Sequence, residues 1–247
     1  MYTEFAEIYD RLTEDVDYAG WADFIESAFL KFGEKPERIL ELGCGTGNLT
    51  LEMARRGYDL IGLDLSVDML GCASQKSREA GRNILFINQD MRKFALHGPV
   101  DSVICTLDSL NYLTRPGDLE KVFRRVNRYL RPGGLFIFDI NSAYKLRRWV
   151  PSQTFYDLGQ EITWIWNSTY NRQTKVTGFE LTFFVREENG SYNRFEEFHE
   201  ERAHGHNEIK RALKASGLTL LATFEDHSFH KPGRRTERLS YIVLKED

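Results

Sequence analysis

The sequence contains little cysteine. Its 247 residues include three, Cys44, Cys72 and Cys105. Their number is odd and their wide spacings do not match those of metal ligands, so the sequence predicts neither a disulfide framework nor a structural zinc site. Such usage is typical of a protein in a reducing compartment, and we expect no bound metal.

Long hydrophobic runs and a strong net charge are missing too. No stretch approaches the roughly 18 consecutive apolar residues that a membrane-spanning helix needs. Residues 1–7 lack the basic segment and the apolar core of a signal peptide. The formal net charge of -4 provides no general attraction to nucleic acids or anionic membranes. These absences favour a cytoplasmic enzyme and argue against a membrane or a nucleic acid as its partner.

What the sequence does contain is an alternation of helical and strand patterns. Two amphipathic helices come first, one around Ile8, Tyr9 and Leu12 and one over residues 18–32. Short apolar strands then alternate with helices, which predicts an α/β fold with a doubly wound, mostly parallel sheet. The predicted strands lie near residues 38–42, 58–65, 84–87, 101–107 and 135–140, and the predicted helices near 49–56, 67–80 and 119–130.

The pattern changes after residue 152. Residues 161–202 have a period of two and many aromatic side chains, which predicts an antiparallel insertion of three strands within residues 153–202. A helix near 206–216 and strands near 218–224 and 239–244 would complete a seven-stranded main sheet. We therefore expect one domain built from residues 1–152 and 203–247, with the first helices as a lid. Exposed aromatic faces promote association, so the insertion should cap a substrate or contact a second subunit, in a monomer or a homodimer.

The strongest local signal is a glycine loop that follows the first strand, Glu41-Leu-Gly-Cys-Gly-Thr-Gly. Gly43 and Gly45 can adopt positive φ, and the backbone N–H groups at the start of the next helix can face a carboxylate-bearing ligand. A structural turn without a ligand is one alternative. A dinucleotide site is another, but its fingerprint needs glycine where Asn48 stands. The spacing G-x-G-x-G after an acidic residue is instead typical of sites for S-adenosylmethionine (SAM).

Four motifs together resemble the class I SAM-dependent methyltransferases, in the order and at the strand ends expected, over essentially the whole chain. They are Glu41 to Gly47, Gly62-Leu-Asp-Leu-Ser, Asn88-Gln-Asp-Met-Arg and Leu130-Arg-Pro-Gly-Gly. The N-terminal Phe5-Ala-Glu-Ile-Tyr-Asp-Arg-Leu is similar to the first helix of small-molecule N-methyltransferases, notably bacterial dTDP-amino-sugar N,N-dimethyltransferases and, more distantly, glycine N-methyltransferases. An uncharacterised methyltransferase common in Gram-positive bacteria is more similar still, but it implies no substrate.

The residues expected to bind SAM follow from the loop and from this resemblance. Asp64, at the end of the second strand, should accept the two ribose hydroxyls. Leu65 and Met69 would enclose the adenine, although Met69 could equally pack in the core. Asp90 would accept from the adenine amine or serve a turn. The predicted cofactor-binding residues are Tyr9, Tyr18, Glu41, Gly43, Cys44, Gly45, Gly47, Asp64, Leu65, Met69, Asp90, Met91 and Leu107.

The substrate should bind after the fourth strand, because the carboxyl ends of parallel strands form the ligand crevice. Asp108, Asn111 and Tyr112 are the candidate contacts, although Asn111 and Tyr112 could equally be buried. A sulfonium methyl group is already activated, so no base is required. Asp108, Tyr112, His199 and His204 are weak candidates for one.

We expect methyl transfer to a nitrogen or oxygen atom of a small molecule. A methyltransferase that modifies RNA or protein and a SAM-binding module without catalysis are the alternatives. No Asn/Asp-Pro-Pro-Tyr motif follows the fourth strand, which by resemblance argues against exocyclic amines of nucleobases and against glutamine. The basic face of Lys121, Arg124, Arg128 and Arg131 could bind RNA, but a solvated helix face explains it better. The insertion should set substrate choice and add little to SAM affinity.

Overall fold

The computed structural model describes residues 3–246 of the chain. Its helices are α1 (Thr3–Leu12), α2 (Tyr18–Phe32), α3 (Asn48–Arg55), α4 (Val67–Glu79), α5 (Asp118–Tyr129) and α6 (His206–Ala215). Short helical turns cover Ser109–Tyr112, Lys145–Trp149 and Val150–Ser152. Within the described range, no helix combines the length and the apolar character needed to cross a bilayer.

The main sheet has the predicted seven strands. They are β1 (Arg38–Leu42), β2 (Asp59–Asp64), β3 (Leu85–Asn88), β4 (Val100–Cys105), β5 (Leu130–Asn141), β10 (Thr219–Glu225) and β11 (Arg238–Leu244). Their order in the sheet is β10-β11-β5-β4-β1-β2-β3. Only the pairs that involve β11 are antiparallel, so the prediction of a doubly wound, mostly parallel sheet is confirmed.

Both faces of this sheet are covered, which is why its central strands read as continuous apolar runs. Leu40 faces one layer, where Phe123 of α5 and Phe136 pack. Its neighbour Ile39 faces the other layer with Trp21 of α2. Because β1, β2 and β4 run parallel, their carboxyl ends meet at one edge of the sheet, and the predicted site residues follow those ends.

The insertion forms a second, antiparallel sheet of four strands, so the prediction of three was wrong. Its strands are β6 (Phe155–Leu158), β7 (Ile162–Asn171), β8 (Val176–Arg186) and β9 (Tyr192–Arg202). They are hydrogen-bonded in chain order. The strand that was missed, β6, has four residues, and four residues carry too little alternation to separate a strand from a loop.

One face of this second sheet packs on the main domain. Ile162 and Phe183 form an apolar cluster with Ala6 and Ile8 of α1, and with Met69 of α4. Phe179 packs on the short helices that follow β5. The insertion therefore supports α1, the helix predicted to act as a lid. The opposite face exposes large side chains, among them Tyr156, Leu158 and Phe198.

Candidate active site

The glycine loop connects β1 to α3 and lies over the end of β2. The backbone N–H groups of Gly43 and Cys44 donate to the carbonyl of Leu63, at 2.7 and 3.0 Å. Gly43, Gly45 and Gly47 have φ values of 71°, 53° and 78°. A Cβ atom on Gly43 would lie 2.6 Å from the Ser109 hydroxyl, whereas one on Gly45 would meet nothing within 4 Å. Gly43 therefore permits a close approach inside the protein, and Gly45 leaves open space above the backbone.

Asp64 joins this loop to the start of α4. Its carboxylate accepts from the N–H of Gly45 at 2.9 Å and from the N–H of Ser66 at 2.8 Å. Each carboxylate oxygen has a further lone pair available to a ligand. The next side chain, Leu65, is 68% exposed. The structure therefore places the Asp64 carboxylate beside an exposed apolar side chain, as expected for the predicted contacts with a ribose and a base.

A narrow cavity of about 40 Å³ lies between the loop and the first two helices. Tyr9, Tyr18, Glu41 and Leu107 line it together with the loop, which brings widely separated predicted residues to one place. The sequence prediction missed Thr46, Asn48, Leu49, Thr106 and Ser109. Each of these lies within three residues of a predicted position, so the pattern located the segments correctly but not every side chain in them.

Glu41 is a buried carboxylate in the wall of this cavity. It accepts from the Thr50 hydroxyl at 2.5 Å. Burial raises the pKa of Glu41 to about 7, and the charge of nearby Asp64 adds to the effect. Glu41 therefore changes charge near neutral pH, and a cationic ligand group would favour its ionised form.

Asp10, which the sequence prediction also missed, fastens α1 to the loop and to α4. Its carboxylate accepts from the Thr46 hydroxyl at 2.5 Å, from Nδ2 of Asn48 at 2.9 Å and from Nζ of Lys76 at 2.6 Å. Partial burial opposes ionisation, but the bonds from Lys76 and Thr46 lower the pKa of Asp10 below its usual range. These contacts hold the neighbouring Tyr9 at the cavity.

The segment after β4 has an unusual backbone. Leu107 and Asp108 are consecutive non-glycine residues with φ of 54° and 58°. Such residues cost about 1–3 kcal/mol each and occur where the surrounding structure enforces them, often at functional sites. The Asp108 carboxylate lies 2.7 Å from the Arg238 guanidinium, a contact that the sequence prediction did not include.

Comparison with known proteins agrees with this geometry. A family model described as a methyltransferase domain matches residues 39–134. The chain is 36% identical to a Bacillus subtilis (strain 168) protein named as the methyltransferase YqeM, over 99% of this chain and 97% of that protein. The crystal structure of a SAM-dependent methyltransferase from Clostridium acetobutylicum ATCC 824 matches with a TM-score of 0.91 and 35% identity, over 100% of this chain and 99% of that chain.

The chain belongs to the SAM-dependent methyltransferases. The family resemblance inferred from the four motifs is thereby confirmed, and SAM is the cofactor. The methyltransferase is also 25% identical to the dTDP-3-amino-3,6-dideoxy-alpha-D-glucopyranose N,N-dimethyltransferase of Streptomyces fradiae, over 88% of this chain and 84% of that protein. The site fits SAM, because the space above Gly45, the oxygens of Asp64 and the exposed Leu65 lie along one edge of the sheet.

Two of the predicted adenine contacts have other partners in the methyltransferase. Met69 is only 8% exposed and packs between α1 and the second sheet, which gives it the core role that was the alternative. Asp90 pairs with Arg92 through a 2.7 Å ion pair, and it also accepts from the Arg92 backbone N–H at 2.9 Å. The bonds from Arg92 also hold the pKa of Asp90 low. Met91 is partly buried against the main core, and its side chain lies near Gly43.

The candidate residues of the substrate site differ in their exposure. Asn111 is completely buried, and its amide bonds to the backbone of Asn141 and Arg202, which is the buried position that was the alternative to a substrate contact. Tyr112 is 49% exposed, and its ring stands edge-on to the His199 ring at a centroid distance of 5.9 Å. His204 is buried, with Nδ1 3.9 Å from Glu208 of α6.

Proposed function

We propose that the methyltransferase transfers a methyl group from SAM to a nitrogen or oxygen atom of a small molecule. The observation that carries the proposal is the contact between Tyr112, which follows β4, and His199 of β9. This contact supports a role for β9 as the roof of the crevice that follows β4. A roofed crevice suits an acceptor that is small enough to lie beneath β9.

The roof is polar. Glu197, His199 and Glu201 alternate along β9 and therefore point to the same face of the second sheet. Glu197 and Glu201 are buried. Glu201 accepts from Nδ2 of Asn141 at 2.7 Å, and burial together with the charge of Asp108 raises its pKa. His199 is the least buried of the three, so it is the side chain best placed to meet a polar acceptor. The Streptomyces fradiae relative, named as an amino-sugar N,N-dimethyltransferase, supports an amine as the first acceptor to test.

SAM, when bound, supplies a methyl group already activated by the sulfonium. The chain must then hold an acceptor in line with that methyl group, and such positioning can lower the barrier by several kcal/mol. Burial lowers the pKa of His199 and so favours the neutral imidazole, the form that can accept a proton from an acceptor that arrives protonated. Asp108 is less suited to that task because Arg238 occupies its carboxylate.

The test is methyl transfer from isotopically labelled SAM to a bacterial extract separated into metabolites, RNA and protein. We expect the label in the metabolite fraction, with none when a Gly45→Ala variant replaces the enzyme. Label in RNA or protein would favour a macromolecular substrate. S-adenosylhomocysteine (SAH) binding by calorimetry without transfer to any fraction would favour a SAM-binding module that has lost catalysis.

A further inference from the structure

The strained segment that follows β4 is held by two residues from strands far away in the sequence. Asp139 lies in β5 and is completely buried. Its Oδ2 accepts from the backbone N–H of Asp108 at 3.1 Å and also from Nη1 of Arg238. Arg238, at the start of β11, donates from Nη2 to the Asp108 carboxylate at 2.7 Å. The backbone and the side chain of Asp108 are therefore fixed by the same pair of residues.

The ion pairs of Arg238 with Asp108 and Asp139 are not explained by their contribution to stability. Two carboxylates and one guanidinium must lose most of their water to form them, and apolar replacements for such buried groups are often neutral or stabilising. Their gain is conformational, because one arrangement lets the Arg238 guanidinium reach both carboxylates while Asp139 accepts from the Asp108 N–H. That arrangement contains the left-handed backbone at Leu107 and Asp108, which non-glycine residues rarely adopt.

We infer that Asp139 and Arg238 are positioning residues: they hold Leu107 and Asp108 in the left-handed conformation and so place Leu107 against the methionyl part of the cofactor. Leu107 lines the same cavity as Tyr9 and Glu41. The inference rests on the proposed role of that cavity in SAM binding. The ion pair acts through the backbone, so neither Asp139 nor Arg238 needs to touch the cofactor.

The first test follows hydrogen exchange at the backbone amide of Asp108, which requires no ligand. Asp139→Ala removes the acceptor of that amide, so its exchange should accelerate strongly while amides in the middle of β4 keep their protection. The matched control is Asp118→Asn, since Asp118 is also buried and paired, with Arg92 and Lys121, at the start of α5. Unchanged exchange at Asp108 in the Asp139→Ala protein would overturn the inference.

The second test separates backbone positioning from charge pairing. Arg238→Met should weaken SAH binding by roughly tenfold, since one charge-assisted hydrogen bond is lost on each carboxylate. Adding Asp108→Gly or Asp108→Ala removes the carboxylate that has lost its partner. Only glycine adopts positive φ without strain, so only the glycine variant should recover affinity, to within about threefold of the wild type.

Equal affinities of the two double variants would show that Arg238 balances charge and nothing more. If Arg238→Met does not fold, Arg238→Lys takes its place in the test. Lysine keeps the charge but cannot bridge both carboxylates, so the SAH affinity of this variant should lie between that of the wild type and a tenfold loss. Thermal unfolding of every variant identifies any loss of SAH affinity that is caused by misfolding. A wild-type protein that fails to bind SAH would contradict the proposed cofactor site, whereas the exchange at Asp108 would still decide whether the ion pair sets the backbone.

Discussion

The carboxylate of Asp10 lies 2.6 Å from the ammonium group of Lys76, so α1 is tied directly to α4. The same carboxylate binds Thr46 and Asn48 at the glycine loop. Because α1 also carries Tyr9 into the cavity wall, these bonds connect the position of the first helix to the shape of the cavity.

Asp10→Asn should therefore accelerate dissociation of SAH by about three- to tenfold, because the three charge-assisted bonds of the carboxylate weaken while the helix remains intact. Stopped-flow displacement of SAH measures the rate. Asp15→Asn removes an equal charge from an exposed position five residues later and should leave the rate unchanged. Equal rates for wild type and Asp10→Asn would mean that α1 does not control release.

Asp64→Ala should weaken SAM binding by roughly ten- to a hundredfold, because the ribose hydroxyls and the Gly45 N–H lose a charged acceptor. Calorimetric titration with SAM measures the effect. The control is Asp59→Ala, since Asp59 lies at the opposite end of β2 and pairs with Arg38 on the surface. The chain should stay folded in both variants. An unchanged affinity in the Asp64 variant would exclude this residue from the site.

Gly45→Ala should abolish measurable SAM binding, since a methyl group at a φ of 53° strains the backbone and fills space that the ligand needs. Gly81→Ala provides a close control: Gly81 also has positive φ, 64°, and a methyl group there would also meet no neighbour within 4 Å, but it follows α4. Both variants should lose about 1–2 kcal/mol of stability from the left-handed backbone. SAM binding that is equally weak in both would mean that strain alone, not ligand space, explains the loss.

Glu41 should make SAH binding depend on pH. Its pKa is about 7, and its ionised form is the one that attracts the amino group of the ligand. Affinity should therefore rise as the pH increases toward about 7, by at most about tenfold per pH unit because one proton is linked, and then level off. Glu41→Gln should bind more weakly at neutral pH and lose this dependence. A pH dependence that persists in the Gln variant would assign it to another group.

The raised pKa of Glu41 also predicts how the free energy of unfolding changes with pH. Glu41 has a folded pKa of about 7 against an ordinary value of 4.5, so the folded state holds a proton that the unfolded chain releases first. This contribution to the free energy of unfolding is complete below about pH 4.5 and is lost as the pH rises through about 7. Comparing urea unfolding of wild type and Glu41→Gln between those limits should show the wild type losing stability relative to the variant.

The sequence was most informative where structure is decided locally. It predicted the bounds of α2 correctly, because apolar spacing is a local signal. The structure adds a second local feature, since Asp17 accepts from the Gly20 N–H at the helix start. The glycine loop was equally clear, since three alternating glycines after a buried strand allow few structures. The cofactor followed from that loop.

Side-chain partners from distant segments could not be predicted in the same way. The guanidinium of Arg238 that pairs with Asp108, and the two backbone carbonyls that accept from Asn111, meet their partners only after the sheet has formed. The support of α1 by Ile162 and Phe183 is also a tertiary contact. It links the insertion to Tyr9, so removal of the insertion should affect SAM affinity more than the sequence pattern suggested.

Asn111 also joins the two ends of the insertion. Its Nδ2 donates to the carbonyls of Asn141 and Arg202, each at 3.0 Å, so the chain leaves the main domain and returns to it beside a single side chain. The length and sequence of a segment anchored in this way can change while the register between β5 and β11 is preserved. If the insertion sets acceptor choice as proposed, exchange of such segments among homologues gives evolution a route to new methyl acceptors wherever the contacts of Ile162 and Phe183 with α1 are kept. Protein engineers can use the same junction to graft a roof from one homologue onto another.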